Sequence, residues 1–168
     1  NKVVAEYLVT MNQSGPMHFI IFDRDKWQGG RGGGNDDYYN NGEYTTGFSY
    51  FNRGIGSPLI PSPEYNTDGS LGFKNNRVKS WHFAAEGDIN TQLSYRVLFT
   101  AMNGWGTSYF PFLNKKFGTS SLVDINYTHP KLQGWKFSGS VAADTGTMLG
   151  KSVGFSLGVT KTGILKAW

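Results

Sequence analysis

The sequence predicts an all-β chain and, within that class, an antiparallel transmembrane β-barrel. Three observations carry the prediction. Apolar and polar residues alternate with period two over several segments, which puts the apolar side chains of each segment on one side of a strand. Those segments run for about ten residues, longer than the roughly five or six usual in soluble sheets and matched to the length that crosses a bilayer. The connections between them alternate short and long, as in bacterial barrels with tight turns on one side and extended loops on the other. Composition agrees: 23 glycines among 168 residues, with no Gly-free stretch of helical period, leave little room for a helical bundle.

Along the chain, Lys2 to Met11 sets Val3, Ala5, Tyr7, Val9 and Met11 against Lys2, Glu6 and Thr10. Met17 to Asp25 and Arg77 to Glu86 read as strands with mixed faces. In Gln92 to Ala101, Leu93, Tyr95, Val97, Phe99 and Ala101 oppose Gln92, Ser94, Arg96 and Thr100, and Leu98 is out of phase. Val123, Ile125 and Tyr127 alternate with Asp124, Asn126 and Thr128. Trp135 to Asp144 presents Trp135, Phe137, Gly139, Val141 and Ala143 against Lys136, Ser138, Ser140 and Asp144. Last, Val153, Phe155, Leu157 and Val159 alternate with Ser152, Gly154, Ser156, Gly158 and Thr160. The total is seven strands.

A soluble β-sandwich shows the same alternation, and loop lengths separate the two. "NQSGP" (12–16), "GDIN" (87–90) and "PKLQG" (130–134) are tight, "TGTMLG" (145–150) is intermediate, and Asn103 to Gly118 and Trp27 to Asn76 are long. With the carboxyl terminus in the periplasm, the tight connections fall on the periplasmic side and the others outside. Lys2 to Met11 then descends from outside, and seven is odd where these barrels use even counts. The chain is therefore expected to form about seven carboxyl-terminal strands of a larger barrel. Residues 1–168 make a single partial barrel domain, and 27–76 a long external loop or plug insertion.

Other classes are disfavoured by what the sequence lacks. A charged fraction of 17% with 15% aromatic residues argues against a disordered chain. The net charge of +4 is scattered without a basic run, so nucleic acid is not an expected partner. There is no cysteine, hence no disulfide, thiolate metal site or cysteine nucleophile. No segment has the length of apolar sequence that a transmembrane helix needs.

Candidate chemistry is sparse. "GFSLG" (154–158) matches the nucleophile-elbow pattern, but Ser156 sits inside an alternating strand with no helix to follow, and that mechanism needs a strand-to-helix turn. "DRDKWQGG" (23–30) starts like a calcium loop, yet Trp27 stands at a ligand position. Asp36, Asp37, Asn40, Asn41 and Glu43 offer oxygen ligands, with Asp36, Asp37 and Glu43 the weak calcium candidates, and polar turn formation is the simpler role. His18, His82 and His129 lack zinc spacing. "GGRGGG" (29–34) reads as a loop rather than an RNA-binding segment.

The long connections are the stronger signal. "NGWGTSYFPFLNKKFG" (103–118) sets Trp105, Tyr109, Phe110 and Phe112 among glycines, with Lys115 and Lys116 behind them. Aromatic faces stack on sugar rings and cationic donors address uronate carboxylates, a composition suited to an acidic polysaccharide. The competing role for each aromatic is the interfacial girdle of a barrel. No cofactor is expected.

"YYNNGEYTTGFSYFNRGIGSPLI" (38–60), then "NNRVKSW" (75–81), then "ADTGTMLGKSVGFSLGVTKTG" (143–163) resemble, in this order, the carboxyl-terminal half of the capsule assembly Wzi family. The resemblance runs from about Asp36 to Gly163, and the stretch ending in Arg53, Gly54, Gly56, Ser57 and Pro58 is its most specific part. It implies a monomeric outer-membrane barrel of roughly eighteen strands. Such a barrel acts as a lectin that tethers capsular polysaccharide to the cell surface and catalyses nothing. The implied partners are outer-membrane lipid, capsular polysaccharide, and other outer-membrane proteins or lipoproteins. No family motif for sugar binding can be carried across, so the candidate binding residues rest on loop chemistry: Trp105, Tyr109, Lys115, Lys116, Tyr38, Tyr39, Asn40 and Arg53. The alternatives are a diffusion channel, a secreted carbohydrate-binding sandwich, and a surface hydrolase using Ser156, Asp37 or Glu43.

Overall fold

A computed structural model describes residues 1–13, 18–20, 31–33 and 37–163, with the backbone alone at 18–20 and 31–33. Among the described residues the strands are, in order, β1 Lys2–Val9, β2 His18–Ile20, β3 Arg31–Gly33, β4 Ser49–Tyr50, β5 Arg53–Gly54, β6 Val78–Asp88, β7 Leu93–Gly106, β8 Pro111–Thr128, β9 Trp135–Gly146 and β10 Ser152–Lys161. One turn of 3-10 helix, Pro63–Tyr65, interrupts the long connection. No α-helix occurs among the described residues.

Six strands make one antiparallel sheet in the order β1-β6-β7-β8-β9-β10, while β2-β3 and β4-β5 are separate two-stranded pairs. The all-β, antiparallel prediction therefore holds. The sheet is open, with β1 and β10 at its edges. Register preserves the predicted faces. Val123 pairs with Val141 and Val141 with Phe155; Tyr127 pairs with Phe137 and Phe137 with Val159. Residues directly opposite each other share a face, so the apolar phases of β8, β9 and β10 coincide.

The other phase is polar and internally paired. Lys2 bonds Glu86 at 3.0 Å, Arg96 grips Asp124 through Nε at 2.7 Å and through Nη2, and Ser140 and Ser156 lie 2.6 Å apart. Asp124 pairs with Ser140 in register and Ser140 with Ser156. Charges of alternating sign on β1, β6, β7 and β8 thus give way to hydroxyls on β9 and β10. A one-residue slip at any strand would break this order.

Three expectations change. Of the predicted strand Met17 to Asp25 only His18–Ile20 is described, and it pairs with β3 instead of the main sheet. β1 lies directly beside β6 and antiparallel to it, tied at one end by Lys2 to Glu86 and at the other by the Thr10 amide on the Val78 carbonyl at 2.9 Å. β1 therefore starts at the end of the sheet where β6 finishes, and the large sheet has six strands, an even number. The step from an odd count falls with it. Between β1 and β6 the described residues hold the short pairs β2-β3 and β4-β5 and the one turn of 3-10 helix.

The third change concerns 103–118, read from sequence as a loop. It is a hairpin: β7 and β8 extend to 14 and 18 residues and are closed by Thr107–Phe110. Thr107 accepts the Phe110 amide on its hydroxyl at 3.0 Å and donates its own amide to the Phe110 carbonyl at 3.2 Å. Gly106 makes this closure feasible. Its φ is +82°, and a Cβ would come within 2.5 Å of the Phe110 carbonyl oxygen. Gly106→Ala is expected to destabilise the hairpin tip by about 2 kcal/mol, read as faster hydrogen exchange at the Thr107 and Phe110 amides.

The chain divides into two compact units. The first holds Asn1–Tyr7, Trp81–Ala101 and the chain from Gly118 on; the second holds Leu8–Ser80 and Met102–Phe117. All the buried hydrophobic residues among those described, Tyr39, Ile60, Phe73, Val78 and Met102, belong to the second unit. Among its described residues the first unit has no buried hydrophobic side chain.

Candidate functional site

Two surfaces draw attention. On the first unit the apolar phase of the strands is uncovered: Val3, Tyr7, Trp81, Phe83, Val97, Phe99, Val123, Ile125, Val141 and the whole series Val153, Phe155, Leu157, Val159 are exposed. Phe155 and Leu157 stand at 83% and 85% exposure. Aromatic residues bracket the aliphatic ones. Trp81 stacks on Phe83 with 6.0 Å between ring centroids and meets Tyr7 at 4.5 Å toward one end of the sheet, and Tyr127 and Phe137 lie toward the other. A sheet in water covers such a face with a second layer. The described residues contain no second sheet beyond the two short pairs.

The second surface is the loop 37–76, which the sequence builds as a small polar-framed core. Asn40 is its clamp. Its amide nitrogen donates to Asp37 Oδ2 at 2.9 Å and to the Phe73 carbonyl at 2.8 Å, and its Oδ1 accepts the Phe73 amide at 2.7 Å. Asn76 donates to the other Asp37 oxygen. Tyr39, 6% exposed, packs edge-on against Phe73 at 5.0 Å and Phe48 at 6.0 Å, and its hydroxyl accepts the Ser57 amide at 3.4 Å. Gly47 closes the turn against it with φ +63°, where a Cβ would lie 2.3 Å from the Tyr39 carbonyl oxygen.

These bonds sort the predicted binding residues. Tyr39 and Asn40 are committed to the loop's own framework, so neither offers a free face or a free amide. Tyr38 does, at 64% exposure, and with Asn41, Tyr44 and Phe48 it lines an open groove of 350 Å³ whose floor is Tyr39, Asn40 and Gly47. Arg53 is exposed and bonds Glu64 at 3.2 Å, which leaves part of its guanidinium available. On the hairpin, Tyr109 is exposed at the turn, Trp105 lies in β7 with the Lys79 ammonium 5.7 Å from its ring, and Lys116 stands 4.6 Å over Phe112. Lys115 is exposed on β8.

Sequence reasoning missed the hairpin β4-β5. Ser49 pairs with Gly54 and Tyr50 with Arg53, so Phe51 and Asn52 form a two-residue turn, both with positive φ (47° and 62°). Such mirror-image turns favour Asn and Gly; an aromatic residue there is strained by about 1–2 kcal/mol. Phe51 is nonetheless 83% exposed, packed edge-on against Tyr50 at 4.6 Å. The signal available in sequence was Asn52 followed by Arg53-Gly54 after an aromatic pair.

The remaining candidates resolve simply. Both Asp37 oxygens are occupied by asparagine amides, and no group of three metal-binding side chains occurs among the described residues. Asp36 lies outside the described residues, as do the calcium-like stretch 23–30 and the residues 164–168; of 29–34, read from sequence as a loop, Arg31–Gly33 form strand β3. Ser156 is in the middle of β10, hydrogen-bonded to Ser140, with strand on both sides of it. Within the loop, Lys74 and the hydroxyl and amide of Ser70 hold the Asp68 carboxyl well below the usual carboxylate range. That contribution is full above the ordinary value near 3.8 and drains away as pH falls below it.

No protein-family model, curated protein or solved structure matches the chain, so its assignment rests on these two surfaces.

Proposed function

We propose that this chain is part of an outer-membrane β-barrel whose loops bind and organise capsular or other surface polysaccharide without catalysis, as the resemblance to the Wzi family implies. The observation that carries the membrane half is the uncovered apolar phase of the sheet, bracketed by aromatics, with an ion-paired polar phase behind it. Lipid is the cover this face requires. Membrane insertion also requires the backbones of β1 and β10 to be paired, which is why the reading includes further strands, about eighteen in all.

The polysaccharide half is supported by the loop platform. Tyr38 and Tyr44 offer ring faces beside Asn41 in an open groove, and Phe51 is held outward at a conformational cost. Rings supply stacking area and the amide and Arg53 supply donors for hydroxyls and carboxylates. Retention of the complete protein on a capsule-glycan matrix tests this. Tyr38→Ala with Tyr44→Ala is expected to lower retention about tenfold or more at two stacking contacts. Phe51→Gly should stabilise the loop by about 1 kcal/mol while also weakening retention. Unchanged retention in both variants, or ion conductance in planar bilayers with no retention at all, would overturn the glycan reading in favour of a channel.

A further inference from the structure

The dipeptide Asn-Gly occurs twice, at 41–42 and at 103–104, and the fold treats the two copies differently. Asn103 and Gly104 lie inside β7, with Gly104 buried and the strand flanked by β6 and β8. Asn41 and Gly42 are exposed and outside any strand. A Cβ added at Gly42 would meet nothing within 4 Å, so nothing crowds this peptide. Its amide makes no hydrogen bond among the described residues. The Asn41 side chain is folded back along the chain. Its Oδ1 accepts the Glu43 amide at 2.8 Å and the Tyr44 amide at 3.2 Å, an Asx turn that carries Cγ over the Gly42 peptide. Its Nδ2 has no partner among the described residues, whereas Asn40 donates from Nδ2 to Asp37 and to the Phe73 carbonyl.

We infer that Asn41 is a site of spontaneous covalent modification, losing its side-chain amide through a cyclic imide with Gly42 and leaving a carboxylate in the groove. The Gly42 nitrogen, its proton taken by solvent base, bonds Asn41 Cγ. Oδ1 takes up the charge of the tetrahedral intermediate, between the two amide donors already aimed at it. The Cγ–Nδ2 bond then breaks, and ammonia leaves with a proton from water. Water opens the five-membered ring at either carbonyl, giving aspartate or, with the chain rerouted through Cβ, isoaspartate. The net change is one amide and one water for one carboxylate and one ammonium ion. Proximity supplies the rate, since the attacking nitrogen and the carbonyl carbon are held within one turn. The product forms where it matters: Asn41 lines the groove with Tyr38 and Tyr44, so the groove exchanges an amide donor for a negative charge. Binding of a uronate-bearing glycan there falls by about fivefold. That consequence rests on the polysaccharide reading; the covalent step does not.

The complete protein is incubated, folded and in denaturant, in neutral and in mildly alkaline buffer. Peptide mapping by mass spectrometry follows the mass gain at each asparagine, and isoaspartate is counted by enzymatic methyl transfer to its carboxylate. In the folded protein Asn41 should react at least as fast as in denaturant, and faster as pH rises, while Asn103 should be slowed about tenfold or more by its strand. Gly42→Ala, which the open space accommodates, should slow the reaction at Asn41 about tenfold or more and leave the fold unchanged. No mass gain at Asn41, protection by folding equal to that of Asn103, or a Gly42→Ala protein that reacts as fast as wild type overturns the inference. Retention on a uronate-bearing glycan matrix is then compared for fresh, aged and Asn41→Asp protein. Aged and substituted protein retained as well as fresh protein overturns the effect on binding. Fresh protein that is not retained overturns the polysaccharide reading and leaves the modification site standing.

Discussion

Leu157→Arg is expected to destabilise the protein in lipid vesicles by about 2–4 kcal/mol, the cost of an arginine on the lipid face near the bilayer centre. Leu157 is 85% exposed, between Phe155 and Val159 in the apolar phase of β10. If that face met water, the same change would fall within about 0.5 kcal/mol, since surface substitutions away from caps and cores usually do. The two environments therefore predict different results from one variant. Ser152→Arg is the internal control: it lies in the opposite phase of the same strand, where Ser152 already bonds Asp144 at 3.0 Å, and an arginine there gains a carboxylate partner. Denaturant titrations of both variants in vesicles measure the contrast. A Leu157→Arg protein as stable as wild type would remove the membrane reading.

How much of this was legible in sequence depended on whether a residue's fate was set by its own strand. Within β9 and β10 the period-two pattern fixes both the element and the face, and the observed register of Val141 with Phe155 and Gly139 with Leu157 keeps the apolar phases together. The ends were less legible. Asn103, Gly104 and Gly106 followed by Pro111 look like loop punctuation, yet Gly104 continues a strand and Gly106 serves the tight approach to Phe110. The pairing of β1 with β6 was hidden because it joins residues far apart in sequence, Thr10 with Val78. The long-range bonds of Thr10, whose hydroxyl donates to the Asn76 carbonyl at 2.7 Å and accepts the Val78 amide at 2.8 Å, hold one end of it, and Lys2 with Glu86 the other. Strand parity, counted from turn lengths alone, could not see that contact.

The loop shows the same limit at single-residue scale, and there the second large effect is expected. Tyr38 and Tyr39 are adjacent and identical in chemistry, so composition alone nominates both for sugar binding; packing assigns them opposite roles. Tyr39→Ala removes the ring that Phe48 and Phe73 pack against and the hydroxyl that receives the Ser57 amide. Emptying a buried aromatic site costs about 3–5 kcal/mol, enough to release the framework that Asn40 and Gly47 close around it. Limited proteolysis of the complete protein should therefore cut within 37–76 far faster than in wild type, and glycan retention should fall because the groove is lost. Tyr38→Ala should leave the protease pattern unchanged while weakening retention. Its ring is exposed and touches the core only edge-on through Tyr39 at 5.6 Å. If Tyr39→Ala keeps the loop protected, the core described for it is wrong. If Tyr38→Ala loosens the loop as much as Tyr39→Ala does, the division between framework and contact residues fails, and any retention change must be read as unfolding.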